Sequence, residues 1–162
     1  MNGAFDWVLL REVEQFLYHE ARLQDDHEYA AWEALWTADG VYWIPANDDD
    51  IDPDHQMSIV YDNRSRIALR IKQLCTGKRL AQTPRSRLRR VMSNIVILEH
   101  GEAEIKVTAN ALIFESNRRE DLVWATRTEY LLRREPAGFR MARKKVMLVN
   151  NDKPLPSLSF LI

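Results

Sequence analysis

The chain has 162 residues, of which 46% are hydrophobic and 29% are charged, and its formal net charge is −1 at pH 7. We therefore expect residues 1–162 to form a single globular domain, with no general attraction to nucleic acid or anionic membranes. No apolar run approaches the roughly 20 residues that a membrane-spanning helix needs, and the N-terminus does not resemble a secretory signal. One cysteine, Cys75, cannot form a disulfide within the chain, so a cytoplasmic location is expected.

The first 45 residues are expected to form two helices and a short strand. Residues 6–24 carry apolar side chains at a roughly helical spacing, namely Val13, Phe16, Leu17 and Leu23. A second helix is predicted over residues 26–37, with bulky side chains on one side, namely Tyr29, Trp32, Leu35 and Trp36. Asp25 or Asp26 can cap the start of this helix, and Asp39-Gly40 is expected to end it. Residues 41–45 then have the composition of a strand.

The middle of the chain predicts a loop, a strand and a third helix. Residues 46–56 are rich in aspartate and are expected to form a solvated loop, followed by a strand over residues 57–61. Asp62 can cap a helix over residues 63–75, with Gly77 as its stop and a loop over residues 76–85. The apolar side chains of this helix lie partly on one face, namely Ile67, Leu69, Ile71 and Leu74.

The remainder of the chain predicts long strands joined by tight turns, over residues 86–99, 102–116, 121–134 and 139–149. The second of these segments places apolar side chains on one face, namely Ile105, Val107, Ala109, Ala111 and Ile113. The third alternates in the same way through Leu122, Trp124, Thr126, Thr128, Tyr130 and Leu132. Three helices followed by such strands indicate an α+β domain with a curved, mostly antiparallel sheet.

Several segments of the chain occur in an order that is typical of one family. They are FLYHEARLQD (16–25), WEALW (32–36), DGVYWIP (39–45), RSR to LCTG (64–77), PRSRLRRVMSN (84–94), RMARK (140–144) and LPSLSFLI (155–162). This ordered set resembles the small (β) subunits of Rieske-type aromatic-ring-hydroxylating dioxygenases and covers nearly the whole chain. Two segments depart from that pattern: the acidic stretch 47–52, and residues 77–81, which replace a frequent TGxAWAE segment.

The resemblance implies both a fold and a role. The fold would be a nuclear-transport-factor-two-like α+β cone, and the chain would be a non-catalytic structural subunit. Its partner would be a large (α) subunit carrying a Rieske 2Fe-2S cluster and mononuclear Fe(II), in an assembly of three large and three small subunits around a threefold axis. Such a complex uses O₂ and NADH-derived electrons, delivered by a reductase and sometimes a ferredoxin, to convert an aromatic ring to a cis-diol. The N-terminal half, with its YWIP segment and acidic loop, resembles small subunits of systems that act on aromatic acids.

The residues themselves give no metal or catalytic site. A Rieske cluster needs two cysteines and two histidines, and this chain has one cysteine. The four histidines lack the spacing of a two-histidine, one-carboxylate iron site; we expect His19 to be partly buried and His27, His55 and His100 to lie on the surface. Residues 50, 52 and 54 are aspartates at a calcium-loop spacing, but the rest of that loop is missing. We therefore expect no catalytic, cofactor-binding or metal-binding residue in this chain.

Two basic segments are the candidate functional residues. They contain Arg87, Arg89 and Arg90 in one strand, and Arg140, Arg143 and Lys144 in another. On a strand, Arg87 and Arg89 share a face while Arg90 points the other way. Without interleaved exposed aromatic side chains, nucleic-acid binding is not expected. Arginine suits bidentate pairing with carboxylates, within the domain or between subunits, and the resemblance favours a subunit interface.

A stand-alone dehydratase or isomerase on the same cone is the alternative hypothesis. Such an enzyme would need an acid–base pair inside the cone. The candidates are His19 with Asp39 or Asp25, and Tyr42 as a hydroxyl donor. Fold alone does not decide between the two hypotheses, because functional sites are grafted onto folds.

Overall fold

The computed structural model describes residues 5–76 and 84–162, so the predicted stop at Gly77 lies outside the described residues. Within them, the helices are α1 (Trp7–Asp25), α2 (Tyr29–Glu33) and α3 (Arg64–Cys75). The strands are β1 (Trp36–Pro45), β2 (Ser58–Asp62), β3 (Arg87–His100), β4 (Glu104–Ser116), β5 (Asp121–Glu135) and β6 (Gly138–Leu148). They form one sheet in the order β2-β1-β6-β5-β4-β3, in which β1 and β6 are parallel and every other pair is antiparallel. The predicted α+β class with a mostly antiparallel sheet is confirmed.

The core lies between the helices and the inner face of the sheet. In β4 the five apolar residues predicted to share a face are all buried, and in β5 the alternating series from Trp124 to Leu132 is buried as well. Successive side chains of a strand point to opposite faces, so one buried series fixes the other series as the outer face. The register between β4 and β5 runs without interruption from Glu104–Arg133 to Ser116–Asp121.

Helices α1 and α3 are close to their predicted ranges, but their details differ. Asp6 caps α1 by accepting a hydrogen bond from the Leu9 amide at 2.9 Å. The prediction that Asp62 caps α3 is wrong: Asn63 is the cap, with its Oδ1 accepting from the Arg66 amide at 3.0 Å. Asp62 instead accepts from Arg70 Nε at 2.6 Å, since it still belongs to β2.

The second helix is much shorter than predicted, because the chain turns into the sheet at Trp36. α2 ends at Glu33, and β1 already begins at Trp36, where the backbone pairs with Met141 of β6. The Met141 amide donates to the Leu35 carbonyl at 2.7 Å. Pairing with β6 thus overrides the helical spacing of the aromatic residues. Neither Asp25 nor Asp26 caps α2; the residue before it is Glu28, which makes no capping hydrogen bond through its side chain.

Gly40 is required by the packing of β1 against its own first residue. A Cβ atom at position 40 would lie 2.7 Å from Cε3 of Trp36, which is buried. We expect Gly40→Ala to destabilise the domain by about 1–3 kcal/mol, because the indole ring would have to move within a packed core. Urea unfolding followed by tryptophan fluorescence measures this change. Gly101→Ala is the matched control, since its nearest atom would be an ordinary 3.6 Å away; equal effects at the two sites would contradict the packing argument.

Candidate functional site

The six basic residues singled out from the sequence divide into two groups. Arg87, Arg89, Arg140 and Arg143 are exposed. Arg140 pairs with Glu135 at 2.9 Å, and the guanidinium of Arg143 lies 5.1 Å from the ring centre of Trp43. Lys144 and Arg90 point into the domain, where each side chain is 3% exposed. Each forms an ion pair with a carboxylate of α1. The sequence pattern of the strands alone does not predict these pairs.

Lys144 forms a buried ion pair with Glu20. The side chains are 3% and 1% exposed, and Lys144 Nζ lies 2.5 Å from Glu20 Oε1. Trp32 Nε1 donates to the same oxygen at 3.1 Å, and the Tyr130 hydroxyl donates to the other carboxylate oxygen at 3.1 Å. Burial lowers the pKa of Lys144 and Glu20 opposes this shift. Burial, reinforced by the Glu20 carboxylate, raises the pKa of Tyr130.

Arg90 is the second internal cation. Its guanidinium, which is 3% exposed, donates to the Asp25 carboxylate at the end of α1 and to the Leu161 carbonyl. The Arg90 amide also donates to Asp25, at 2.9 Å. Asp25 therefore fastens β3 to α1 rather than capping the next helix. Such a buried pair is costly to break because it leaves an uncompensated charge inside the domain.

The outer face of β3, β4 and β5 carries two of the exposed arginines, Arg87 and Arg89, beside an apolar patch. This outer patch consists of Val91, Leu112, Phe114 and Val123, whose exposed fractions are 53%, 45%, 47% and 60%. The strand register makes it continuous, because Val91 is opposite Leu112 and Phe114 is opposite Val123. Arg89 is opposite Phe114 and borders the patch, with Arg87 on the same face. A contiguous exposed apolar surface rimmed by charge is typical of a protein-binding surface.

The candidate acid–base residues of the alternative hypothesis do not assemble into one site. His19 is exposed, not partly buried as expected, and it lines a surface groove of about 1010 Å³ together with Phe16 and Arg134. Asp39 is also exposed, and hydrogen bonds from Arg133 and Thr37 lower the pKa of its carboxyl to about 2. A carboxylate held in its ionised form in this way is a poor proton donor near neutral pH.

Tyr42 does lie inside the domain, but it is engaged with backbone. Its hydroxyl donates to the backbone oxygen of Ile162 at 2.5 Å and accepts from the Ile162 amide at 3.1 Å. Burial raises the pKa of Tyr42. The rings of Trp32 and Trp36 pack against it with centroid distances of 5.6 and 5.9 Å, so all three rings lie in the core.

The described residues hold no group of three histidine, cysteine, aspartate or glutamate side chains placed to bind a metal ion. His27 is half-buried, not on the surface as predicted, and its ring nitrogens lie 2.9 Å from the Tyr29 hydroxyl and 2.8 Å from the Ser86 carbonyl oxygen. His55 and His100 are exposed as expected. The ligand set of a Rieske cluster or of a mononuclear iron therefore does not fit these residues.

Comparison with known proteins identifies the family of this chain. The sequence profile described as "Ring hydroxylating beta subunit" matches residues 19–152. The small oxygenase component of the p-cumate 2,3-dioxygenase system of Pseudomonas putida is 32% identical over 144 residues, which are 88% of this chain and 80% of that protein. The anthranilate 1,2-dioxygenase small subunit of Acinetobacter baylyi is 33% identical over 146 residues, 86% of this chain and 88% of that protein. The β subunit of benzoate 1,2-dioxygenase from Burkholderia mallei superposes with a TM-score of 0.79 at 22% identity, covering 98% and 99% of the two chains.

The chain belongs to the ring-hydroxylating β-subunit family. Its relatives are small subunits of aromatic-ring-hydroxylating dioxygenases, which supports this role over a stand-alone dehydratase or isomerase. The structural similarity confirms the expected α+β cone. None of the helices in residues 5–76 and 84–162 is long and apolar enough to cross a membrane.

Proposed function

We propose that this chain is the non-catalytic small subunit of a cytoplasmic, multicomponent Rieske non-haem iron dioxygenase. The complex adds both atoms of O₂ to an aromatic ring as a cis-diol. The observation that carries the proposal is the family match over residues 19–152, which spans elements from α1 to the end of the sheet. The relatives named for p-cumate, anthranilate and benzoate favour an aromatic acid as the substrate of the complex.

The metal centres belong to the large subunit in this proposal. The Rieske cluster accepts electrons that come from NADH through a reductase, with or without a ferredoxin, and the mononuclear Fe(II) is where O₂ and the aromatic ring react. This chain supplies neither ligands nor an acid or base. Its part is to hold the large subunits together, in an assembly of three large and three small subunits around a threefold axis.

We assign subunit assembly to the outer patch together with Arg87 and Arg89. Arg140 and Arg143, on β6, are the next candidates for a subunit interface. Four large apolar side chains on one sheet face are about half exposed, which is costly unless a partner covers them. Among the residues that the structure describes, neither arginine has a carboxylate within salt-bridge distance. Arg90 and Arg140, in contrast, each pair with a carboxylate. A partner surface with an apolar centre and carboxylates at its rim would complement this face.

Native mass spectrometry of the tagged 19.0 kDa chain, purified from its own host, tests the proposal. The expected result is a large complex in which this chain is bound to a heavier chain that contains iron. The same purification from cells with an untagged chain is the control for non-specific capture. A small homo-oligomer, free of any iron-containing chain, would overturn the proposed function.

A further inference from the structure

The outer face of the sheet has a groove at each end of the outer patch. A groove of about 800 Å³ lies at one end, between residues 47–50 and strands β4 to β6, and Leu112 of the patch is part of its lining. A groove of about 400 Å³ lies at the other end, and its lining includes Arg87, Arg89 and Val123 of the patch. We call these two spaces the acidic groove and the basic groove, because they differ in charge.

The acidic groove carries negative charge that the domain does not neutralise. Lys145 Nζ lies 3.7 Å from Asp50 and so compensates one carboxylate. Five carboxylates and one arginine line the groove, namely Asp48, Asp49, Asp50, Glu129, Asp152 and Arg127. In the part of the chain that the structure describes, the other four carboxylates are exposed and have no cationic side chain within salt-bridge distance. Like charges gathered in this way favour a cationic surface opposite them.

The basic groove has the opposite balance of charge. Arg87 and Arg89 are exposed in its lining, which also includes Asp121. The turn from β4 to β5 begins where β4 ends opposite Arg87, so its side chains lie at the same end of the face. Four arginines and two carboxylates therefore lie at this end, namely Arg87, Arg89, Arg118, Arg119, Glu120 and Asp121. This end favours an anionic surface opposite it.

The two charged ends are separate, but they lie on the same face of the sheet. Val123 and Glu129 are both on the outer face of β5 and are six residues apart, which corresponds to about 20 Å along the strand. Arg89 is opposite Phe114, which is opposite Val123, so it lies two strands or about 10 Å to the side of Val123. The apolar outer patch thus lies between a positive end and a negative end.

A face with this arrangement is complementary to itself. When two copies meet face to face about a twofold axis, the basic end of each lies over the acidic end of the other, and the apolar centres meet. A head-to-tail ring would need its two complementary surfaces to face in different directions, whereas both ends lie on one face here. We therefore propose that two copies of this chain pair through the outer face, about a twofold axis, when no large subunit is bound.

The pair uses the surface that the proposed function assigns to the large subunit, and it rests on that function only for the identity of its competitor. The four apolar side chains of the outer patch are 45% to 60% exposed in a single copy. A second copy covers them in the free small subunit, and the large subunit covers them in the complex. Binding of the large subunit therefore separates the pair.

Sedimentation of the unaltered chain on its own is the first test, and it needs no large subunit. The expected particle has twice the 19.0 kDa mass of one chain. Its association should weaken at least threefold when salt is raised from about 0.05 M to about 0.5 M, because the contacts at both ends are between charges. A chain that stays monomeric at about 0.1 mM, or that forms particles of three or more copies, would overturn the inference.

Two charge-reversed variants test which surfaces meet. Arg87→Glu with Arg89→Glu reverses the basic end, and Asp49→Lys with Asp152→Lys reverses the acidic end. All four side chains are exposed, and Asp49 loses only a surface hydrogen bond from Asn151, so both variants should fold. Each variant alone should associate at least tenfold more weakly than the unaltered chain. An equal mixture should regain the association, because each end of one variant then faces the opposite charge on the other.

Arg11→Glu with Arg22→Glu is the matched control, since it makes the same change of charge on the exposed side of α1 and should leave the pair intact. A mixture of the two face variants that associates no better than either variant alone would overturn the inference. Addition of purified large subunit to the unaltered chain should convert the pair into mixed complexes. A pair that persisted unseparated beside bound large subunit would overturn the competition for this surface. Failure of the large subunit to bind at all would count against the proposed function and leave the twofold pair to be judged by the mixture.

Discussion

Replacing Lys144 with methionine is expected to cost about 3–5 kcal/mol of the free energy of unfolding, the typical penalty for leaving one partner of a buried pair uncompensated. Methionine matches the lysine stem in volume, so the change removes the charge while the cavity stays small. The Glu20 side chain, which is 1% exposed, would stay buried in the interior. Its carboxylate would keep only the hydrogen bonds from Trp32 and Tyr130. Urea unfolding followed by tryptophan fluorescence measures the loss.

Two further variants test whether the loss in the free energy of unfolding comes from the uncompensated buried charge. Lys106→Met removes an exposed pair with Glu99, whose side chains are 54% and 68% exposed, and should cost less than about 1 kcal/mol. Combining Lys144→Met with Glu20→Leu removes both charges, and part of the lost stability should return because nothing remains to be neutralised. If Lys144→Met cost no more than Lys106→Met, the pair would not hold the domain together.

The strands were predictable because their signal is local. In β4 every second side chain from Ile105 to Ile113 is apolar, and in β5 the same period runs from Trp124 to Leu132 with Thr126 and Thr128 in it. This period of two needs no knowledge of the partner strand. Residues 26–37 show the opposite case. Their aromatic side chains satisfy a helical spacing, but the chain joins β6 at Trp36, and that pairing is a contact between residues about a hundred positions apart. Local spacing contains no information about such a partner.

The sequence does contain a signal for the buried Glu20–Lys144 pair, although neither composition nor runs of charge reveal it. Glu20 follows Val13 and Leu17 at helical spacing, so it lies on the buried stripe of α1. Lys144 alternates with Val146 and Leu148, which places all three on the inner face of β6. A charged residue in phase with an apolar series on each of two elements predicts a buried pair. Residues 140–144 also read as a basic run, RMARK, and such a run does not reveal that phase.

Phase along β3 also separates the arginines on the outer face from the one inside the domain. Arg87 and Arg89 are out of phase with Leu88, which is buried, and therefore lie on the outer face of β3. Arg90 is in phase with Leu88 and meets Asp25 inside the domain. A test of the assembly surface must leave Arg90 in place, since its loss would destabilise the fold and weaken assembly for an unrelated reason.

Reversing the charge of Arg87 and Arg89 together, as Arg87→Glu and Arg89→Glu, is expected to weaken binding to the large subunit by at least about tenfold, or about 1.4 kcal/mol. The replaced side chains are exposed in the free chain, so the stability of the domain should change little. Titration of the labelled small subunit with its purified large partner measures the affinity, and native mass spectrometry reports the complexes formed.

Arg11→Glu with Arg22→Glu is the matched control for this prediction, because it makes the same change of charge on the exposed side of α1. A general electrostatic effect would weaken binding equally in both double variants, and more at low salt than at high salt. A contact at the outer patch would weaken binding only in the β3 variant.

Replacing Phe114 with serine on the patch should then also weaken binding without a charge change, because its ring is 47% exposed in the free chain and would be covered by the partner. If both β3 and patch variants bound normally, assembly would have to use another face, with Arg140 and Arg143 as the next residues to reverse.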